Sequence, residues 1–345
     1  MRVIGLLVRY SLILLILSNV LFAKSFPNKT VDNIIRIGVD YLLRQNYDAA
    51  KSKFSELNRQ FPNIPLGKIY LAAADIAEAV DYGEQFDEKY INILLSSAKK
   101  LSDSLYNADN NNLWNNYYMA ISNGFYAGFK GLNGDYFSAI TNGLSSISYY
   151  EKCLDIDSLF YDSYVALGSY YYWKSAKTKS LTWLPFISDD RELGRRLLEK
   201  AMNKNTYTHF LAAYSLIWIY IERKEFQNAI SVCNDILIKY PNNRLCKLSL
   251  ARIYVDVDKY KAIRLYKEVL ISLNTLKRNN HLNEIEIKHK IAMQYTALEN
   301  YTKAKEYCDD ILGIDNLNSY VIDQLGDRLD RVKNLKREII ENLKK

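Results

Sequence analysis

Apolar residues recur at helical spacing along nearly all of this chain, and the period predicts a succession of amphipathic helices. In the stretch Val31 to Asn63, Gly38 is followed by Tyr41, Tyr47, Ala50, Phe54 and Pro62. In Phe210 to Asn243, Tyr220, Phe226, Ala229, Cys233 and Pro241 fall at the same offsets. Ala292, Tyr295, Tyr301, Ala304 and Cys308 repeat that order. Ala251, Tyr254, Tyr260 and Ala262 repeat it too, with one residue missing after Tyr260. The pattern has a mechanical meaning. Small residues let two helices approach closely, aromatic residues fill the space beside them, and a proline ends the second helix.

The middle of the chain is looser. Pro65 to Leu105 reads as two helices, the first carrying Ala72, Ala73, Ala74 and Ala77. Asn112 to Asp157 reads as two long helices joined near Gly131 and Gly134. Ser158 to Lys204 opens with Gly168 and Tyr171 at the expected spacing, but its second helix, around Gly194, arrives about 14 residues late against the usual repeat. The excess is KSAKTKSLTWLPFIS, residues 174–188. From Ser319 onward a polar helix is expected to cap the array, since the end of a repeat stack needs a polar outer face.

These units resemble the tetratricopeptide repeat, whose period is about 34 residues. The middle also looks like the divergent members of that superfamily in bacterial envelopes. The resemblance implies an all-α fold, a right-handed superhelical solenoid of about seven antiparallel helix pairs spanning residues 24–318, interrupted at 174–188 and capped by 319–345. It implies further that the first helix of each pair lines an inner groove. The groove positions are then Ile35, Val39 and Leu42, next Val165, Ser169 and Tyr172, next Tyr214, Trp218 and Ile221, and last Leu248, Arg252 and Val255. With Trp173 beside them, Tyr172, Tyr214, Trp218 and Arg252 are the candidate partner-binding residues. Members that clamp a terminal carboxylate use Lys and Asn at such sites. Val165, Ser169, Tyr214 and Trp218 stand there instead, which makes that activity improbable.

Composition adds compartment and excludes some partners. The first residues carry Arg2 and Arg9, then an apolar run from Tyr10 to Ala23, the layout of a secretory signal with cleavage after Ala23. That run is short of the roughly 20 residues a membrane span requires. The mature protein is expected in a bacterial periplasm or outside the cell, with membrane association only through an uncleaved leader or the insertion. The net charge of +7 falls to +5 without the two leader arginines. No basic stripe precedes the C-terminal helix, so a nucleic-acid partner is not expected.

Candidate chemistry is sparse. Cys153, Cys233, Cys246 and Cys308 show no metal-ligand spacing. Two of them, Cys233 and Cys308, occupy the packing position of Phe54. Cys233 and Cys246 flank the turn at Pro241, a pair that an oxidising compartment could join. Ser188, Asp189 and His209 could be combined as a hydrolytic trio, but they lie around a loop with no strained turn and no oxyanion feature. Asp189 and Asp190 read as the start of a helix capped by Ser188. Gly124, Gly128 and Gly131 read as close packing between helices. No cofactor, metal or catalytic residue is expected.

The insertion is the remaining feature. Lys174 to Ser180 is small and basic, hence exposed. Trp183, Leu184 and Phe186 are too apolar to stay in water. They are expected to pack against the chain's own aromatic run at Tyr170 to Trp173. Two functions follow. The first is a non-enzymatic scaffold for protein or peptide partners in the cell envelope. The second is a small-ligand or lipid-binding solenoid whose pocket the insertion closes.

Overall fold

The computed structural model describes residues 25–178, 188–204, 206–276 and 281–344, and among them all regular structure is helical. The leader and the residues Trp183, Leu184 and Phe186 lie outside the described residues. The helices are α1 (Lys29–Leu43), α2 (Tyr47–Gln60), α3 (Leu66–Tyr82), α4 (Glu88–Ala108), α5 (Leu113–Leu132), α6 (Tyr136–Ile156), α7 (Tyr161–Lys177) and α8 (Arg191–Met202). There follow α9 (His209–Glu222), α10 (Phe226–Lys239), α11 (Arg244–Val257), α12 (Lys259–Asn274), α13 (Leu282–Ala297), α14 (Tyr301–Leu312), α15 (Ser319–Leu325) and α16 (Arg328–Leu343). Among the described residues the fold is all-α, a succession of helix pairs, as the pattern predicts. The chain groups into two compact units, residues 1–33 with 102–213 and residues 34–101 with 214–345.

The second unit holds the regular pairs α1–α2, α9–α10, α11–α12 and α13–α14. The N-caps of their second helices are Asn46, Glu225, Asp258 and Asn300. Four residues on stand Ala50, Ala229, Ala262 and Ala304, all fully buried. Eight residues on stand Phe54, Cys233, Tyr266 and Cys308, also buried. The Phe54 ring lies against Gly38, where a methyl group would collide with it. One helix face, set by the period of 3.6, therefore repeats the same buried positions four times.

The turns inside these pairs share a device. Gln45, Lys224 and Glu299 have φ of 58°, 58° and 57°, the left-handed region. The next amide then donates back to a carbonyl five residues earlier: Asn46 to Tyr41 at 2.9 Å, Glu225 to Tyr220 at 2.8 Å, Asn300 to Tyr295 at 2.9 Å. That bond satisfies a carbonyl the ending helix leaves open. The pair α11–α12 omits the left-handed residue, and Asp258 donates to Tyr254 at 2.7 Å instead. The missing residue thus lies before Tyr260, in the turn, and not after it. Lys259 takes the first helical position that Tyr47 and Tyr301 hold elsewhere. Tyr260 is carried about 100° round the helix and is 69% exposed.

The first unit is built on rings. Phe26 is buried with its centroid 4.7 Å from Trp114, and its amide donates to the Tyr207 hydroxyl at 2.9 Å. Trp114 and Tyr117 both pack edge-on against Phe160, at 5.6 and 5.2 Å. Helices α7 and α8 meet backbone to backbone. A Cβ on Gly168 would sit 2.8 Å from the Gly194 carbonyl, and one on Gly194 would sit 2.5 Å from the Gly168 carbonyl. Gly124 and Gly131 also serve close packing, facing Ser146 and Ala139 across α5 and α6. Gly128 does not: nothing lies within 4 Å of its missing side chain.

Two expectations about the insertion need correction. Helix α7 runs on to Lys177, so Lys174 to Lys177 are helical, and Ser175 is fully buried. Ser188 does not cap α8, whose N-cap is Asp190 and whose first-turn acid is Glu192. Asp190 is held from α7 instead. Its amide donates to the Ser175 hydroxyl at 2.9 Å and its carboxylate pairs with Lys174 at 3.4 Å. Those contacts tie the entry of α8 to the end of α7, so the helix cannot begin earlier.

Candidate functional site

Helix α9, HFLAAYSLIWIYIE, has no charged residue before Glu222. It buries Ala212, Leu216, Ile217 and Ile219. Two large rings are left over. Trp218 is 37% exposed and Tyr214 half-buried, with centroids 6.3 Å apart and planes at 78°. Edge-on pairs of this kind hold each other's orientation. The outcome is a fixed, apolar, partly wet aromatic surface.

The other candidate positions divide. Arg252 is exposed on α11 and bonded to Asp256 at 2.6 Å. Trp173 is half-buried on α7. Tyr172 is a correction. It is fully buried, because the missing side chain of Gly194 lets α8 press onto it. Ile35 and Val165 are buried as well and belong to the core. Where two helices approach this closely, side chains on the adjoining faces are used up by the pair itself.

The hydrolytic trio does not assemble. Ser188 donates to Asp190 at 2.7 Å, Asp189 pairs with Arg191 at 2.6 Å, and His209 Nδ1 faces the Thr206 carbonyl at 2.9 Å. All four cysteines are free and buried. Cys246 Sγ donates to the Cys233 carbonyl at 3.6 Å, so the pair flanking Pro241 does face inward together. The neighbouring Cys246 thiol and burial both push the Cys233 thiol up, and burial, against a lowering by Ser163, pushes Cys153 up to about 12. Neither is an activated thiol. Among the described residues no group of three or more His, Cys, Asp or Glu could hold a metal, and no helix is long and apolar enough to cross a membrane.

A cavity of about 480 Å³ lies on α12, α13 and α14, lined by Lys267, Lys288, Lys303, Glu306, Tyr307 and Asp310 among others. Its three lysines are already held by neighbours, two of them by acids. Lys288 pairs with Glu284 at 2.8 Å and Lys303 with Glu306 at 2.7 Å, while Lys267 donates to the Tyr295 hydroxyl at 2.9 Å.

The sequence did not announce one polar cluster in the second unit. The Asp81 carboxylate at the end of α3 accepts from Gln45 at 3.0 Å, Tyr47 at 2.8 Å and Arg244 Nε at 2.9 Å. Arg244, at the start of α11, also donates to Ser272 at 3.0 Å, and its amide donates to Gln45 Oε1 at 3.1 Å. Nearby Asn243 donates to the Leu43 carbonyl at 2.9 Å, and Asn283 to the Asp81 carbonyl at 2.9 Å. Burial pulls the Arg244 guanidinium down, but its hydrogen bonds to Asp81 outweigh that and hold it above its usual value. Residues some 160 to 200 positions apart are joined here (|i−j| of 163 and 200). The only hint in the sequence is a basic residue at the first position of a helix, where the dipole disfavours it.

No protein-family model matches the chain, and no curated protein matches it in sequence. Solved structures do. The C-terminal part of a TPR repeat-containing protein from Cytophaga hutchinsonii is 21% identical, covering 83% of this chain and 98% of that one, with a TM-score of 0.40. A tetratricopeptide repeat protein from Parabacteroides merdae is 11% identical, covering 91% and 100%, with a TM-score of 0.40. A human IFIT1 dimer with m7Gppp-AAAA is 15% identical, covering 87% and 67%, with a TM-score of 0.48. On their own geometry, the repeated buried alanines and the left-handed turns, the regular helix pairs of this chain are built as the resemblance to the tetratricopeptide repeat implies.

Proposed function

We propose that this chain is a non-enzymatic scaffold that binds a protein or peptide partner, and that it is exported to a bacterial cell envelope. The observation that carries the reading is the Tyr214–Trp218 pair. It is an edge-on aromatic pair left partly in water on a helix whose other large rings, Phe210 and Tyr220, are buried. Rigid aromatic residues lose little entropy on binding and dominate interface energies. Apolar anchors of a bound segment at helical spacing would lie against it. The leader, with Arg2 and Arg9 before its apolar run, supports export. The small-ligand alternative gains little from the α12–α14 cavity, where Lys288 and Lys303 are paired with acids and Lys267 is held by the Tyr295 hydroxyl.

The test is cross-linking in envelope extract, comparing the natural chain with Tyr214→Ala and Trp218→Ala. Loss of a defined set of partners in both variants is expected. An unchanged set in both would reject this surface as the binding site.

A further inference from the structure

Helix α6 presents a face that its own unit leaves uncovered. Its small side is used: Ala139 meets Gly131, Gly143 meets Ala127, and Ser146 donates to the Ala120 carbonyl at 2.7 Å. Its large side is not. Phe137 is 83% exposed, Ile140 64% and Leu144 51%, with Ile147 half-buried beyond them. The steps of three, four and three are the a and d spacing of a helix that pairs with another helix. Tyr136 and Leu132 extend the patch at the hairpin end. Two exposed rings bring about 150–250 Å² each at full burial, so the whole patch is a large fraction of the roughly 800 Å² per partner of a standard interface.

We propose that this face is a homodimer interface in which α6 packs antiparallel on α6 of a second copy of the chain. Charge decides the occupant. From Tyr136 to Tyr150 there is no charged residue, and the two charges at the hairpin end, Lys130 and Asp135, pair with each other at 3.6 Å. Two copies therefore meet without like-charge repulsion. A lipid-seated helix would instead set Lys and Arg around its apolar face, and none is present here. A two-fold interface must be self-complementary. With the axis between Ile140 and Thr141, Phe137 of each copy lies against Leu144 of the other, large against medium, and the two Ile140 side chains meet at the centre. This face shares no residue with the Tyr214–Trp218 pair, so either assignment stands without the other.

The test is sedimentation of the purified full chain at micromolar concentration. The natural chain is expected at twice the monomer mass. Phe137→Glu with Ile140→Glu is expected at monomer mass with unchanged helicity, because both positions are exposed. Ile238→Glu, on the exposed face of α10, is expected to remain dimeric. A monomeric natural chain, or a dimer that survives the double substitution, would overturn the proposal. So would flotation of a monomeric natural chain with phosphatidylcholine vesicles that the double variant loses, which would assign the face to lipid.

Discussion

The two units hold distant parts of the chain together by different means. In the second, Asp81 gathers Gln45, Tyr47 and Arg244, and Asn243 and Asn283 cap carbonyls about 200 residues away. In the first, Phe26 reaches Trp114, and Trp114 reaches Tyr117 and Phe160, mostly ring on ring. A ring cluster tolerates small shifts, since dispersion and burial are non-directional. A carboxylate with three donors does not, because hydrogen bonds weaken steeply when bent or stretched. The first unit is thus mainly a packing problem and the second a registration problem, in which the α1–α2 turn and the start of α11 must meet in one alignment.

Removing a part of each should expose that difference. Trp114→Ala empties the hub of the ring cluster and is expected to cost about 4 kcal/mol, read as loss of hydrogen-exchange protection in α5 and α6 before α13 and α14. Arg244→Ala leaves Asp81 half-buried without its cation and is expected to cost about 3 kcal/mol, with the order of protection reversed. If both variants lose protection everywhere at once, the units are one cooperative body and the comparison fails. Replacing both partners, Asp81→Leu with Arg244→Met, is expected to recover most of the second loss.

Acid should also act on the second unit. His289 is buried on α13, and burial, followed by Arg328, Arg331 and Lys290, lowers its pKa from 6.5 to about 4. The unfolded chain binds a proton there below 6.5 that the folded chain refuses until about 4. Stability from this group is therefore complete above 6.5 and falls with falling pH, by about 2 kcal/mol between pH 7 and 5. Urea midpoints of the natural chain and His289→Leu at the two pH values check it: the variant should lose less. The smallest effect concerns the turns. Lys224→Gly and Glu299→Gly relieve left-handed backbone at exposed positions and should each add about 0.5–1 kcal/mol. Glycine at Val257, where the turn has no left-handed residue, should add nothing.

Much of the repeat architecture could be read from the chain because each unit writes the same face in the same order. Ala50, Ala229, Ala262 and Ala304 are one position seen four times. The Tyr260 register was misread because the aromatic spacing survives while the turn shortens, and only the cap at Asp258 shows which side lost a residue. Tyr172 misled for a related reason. Groove positions assume a standard distance between helices, and the contact between Gly168 and Gly194 brings α8 onto that face. The Asp81–Arg244 cluster was beyond reach, since nothing local pairs residues 163 apart. Of the candidate surface, Tyr214 and Trp218 follow from the resemblance to the tetratricopeptide repeat, whereas nothing in the helical period marks the uncovered face of α6. Its exposure depends on the small side of that helix being the one that packs.

The four buried thiols give the molecule a built-in clock. Cys153 stands in the first unit, and Cys233, Cys246 and Cys308 stand in the second. None can meet a reagent while its helix pair is closed. Labelling of the native protein by a small alkylating agent therefore proceeds only through transient openings, and mass spectrometry of each peptide times them separately. The chain thereby reports, sulfur by sulfur, which helix pair opens and how often.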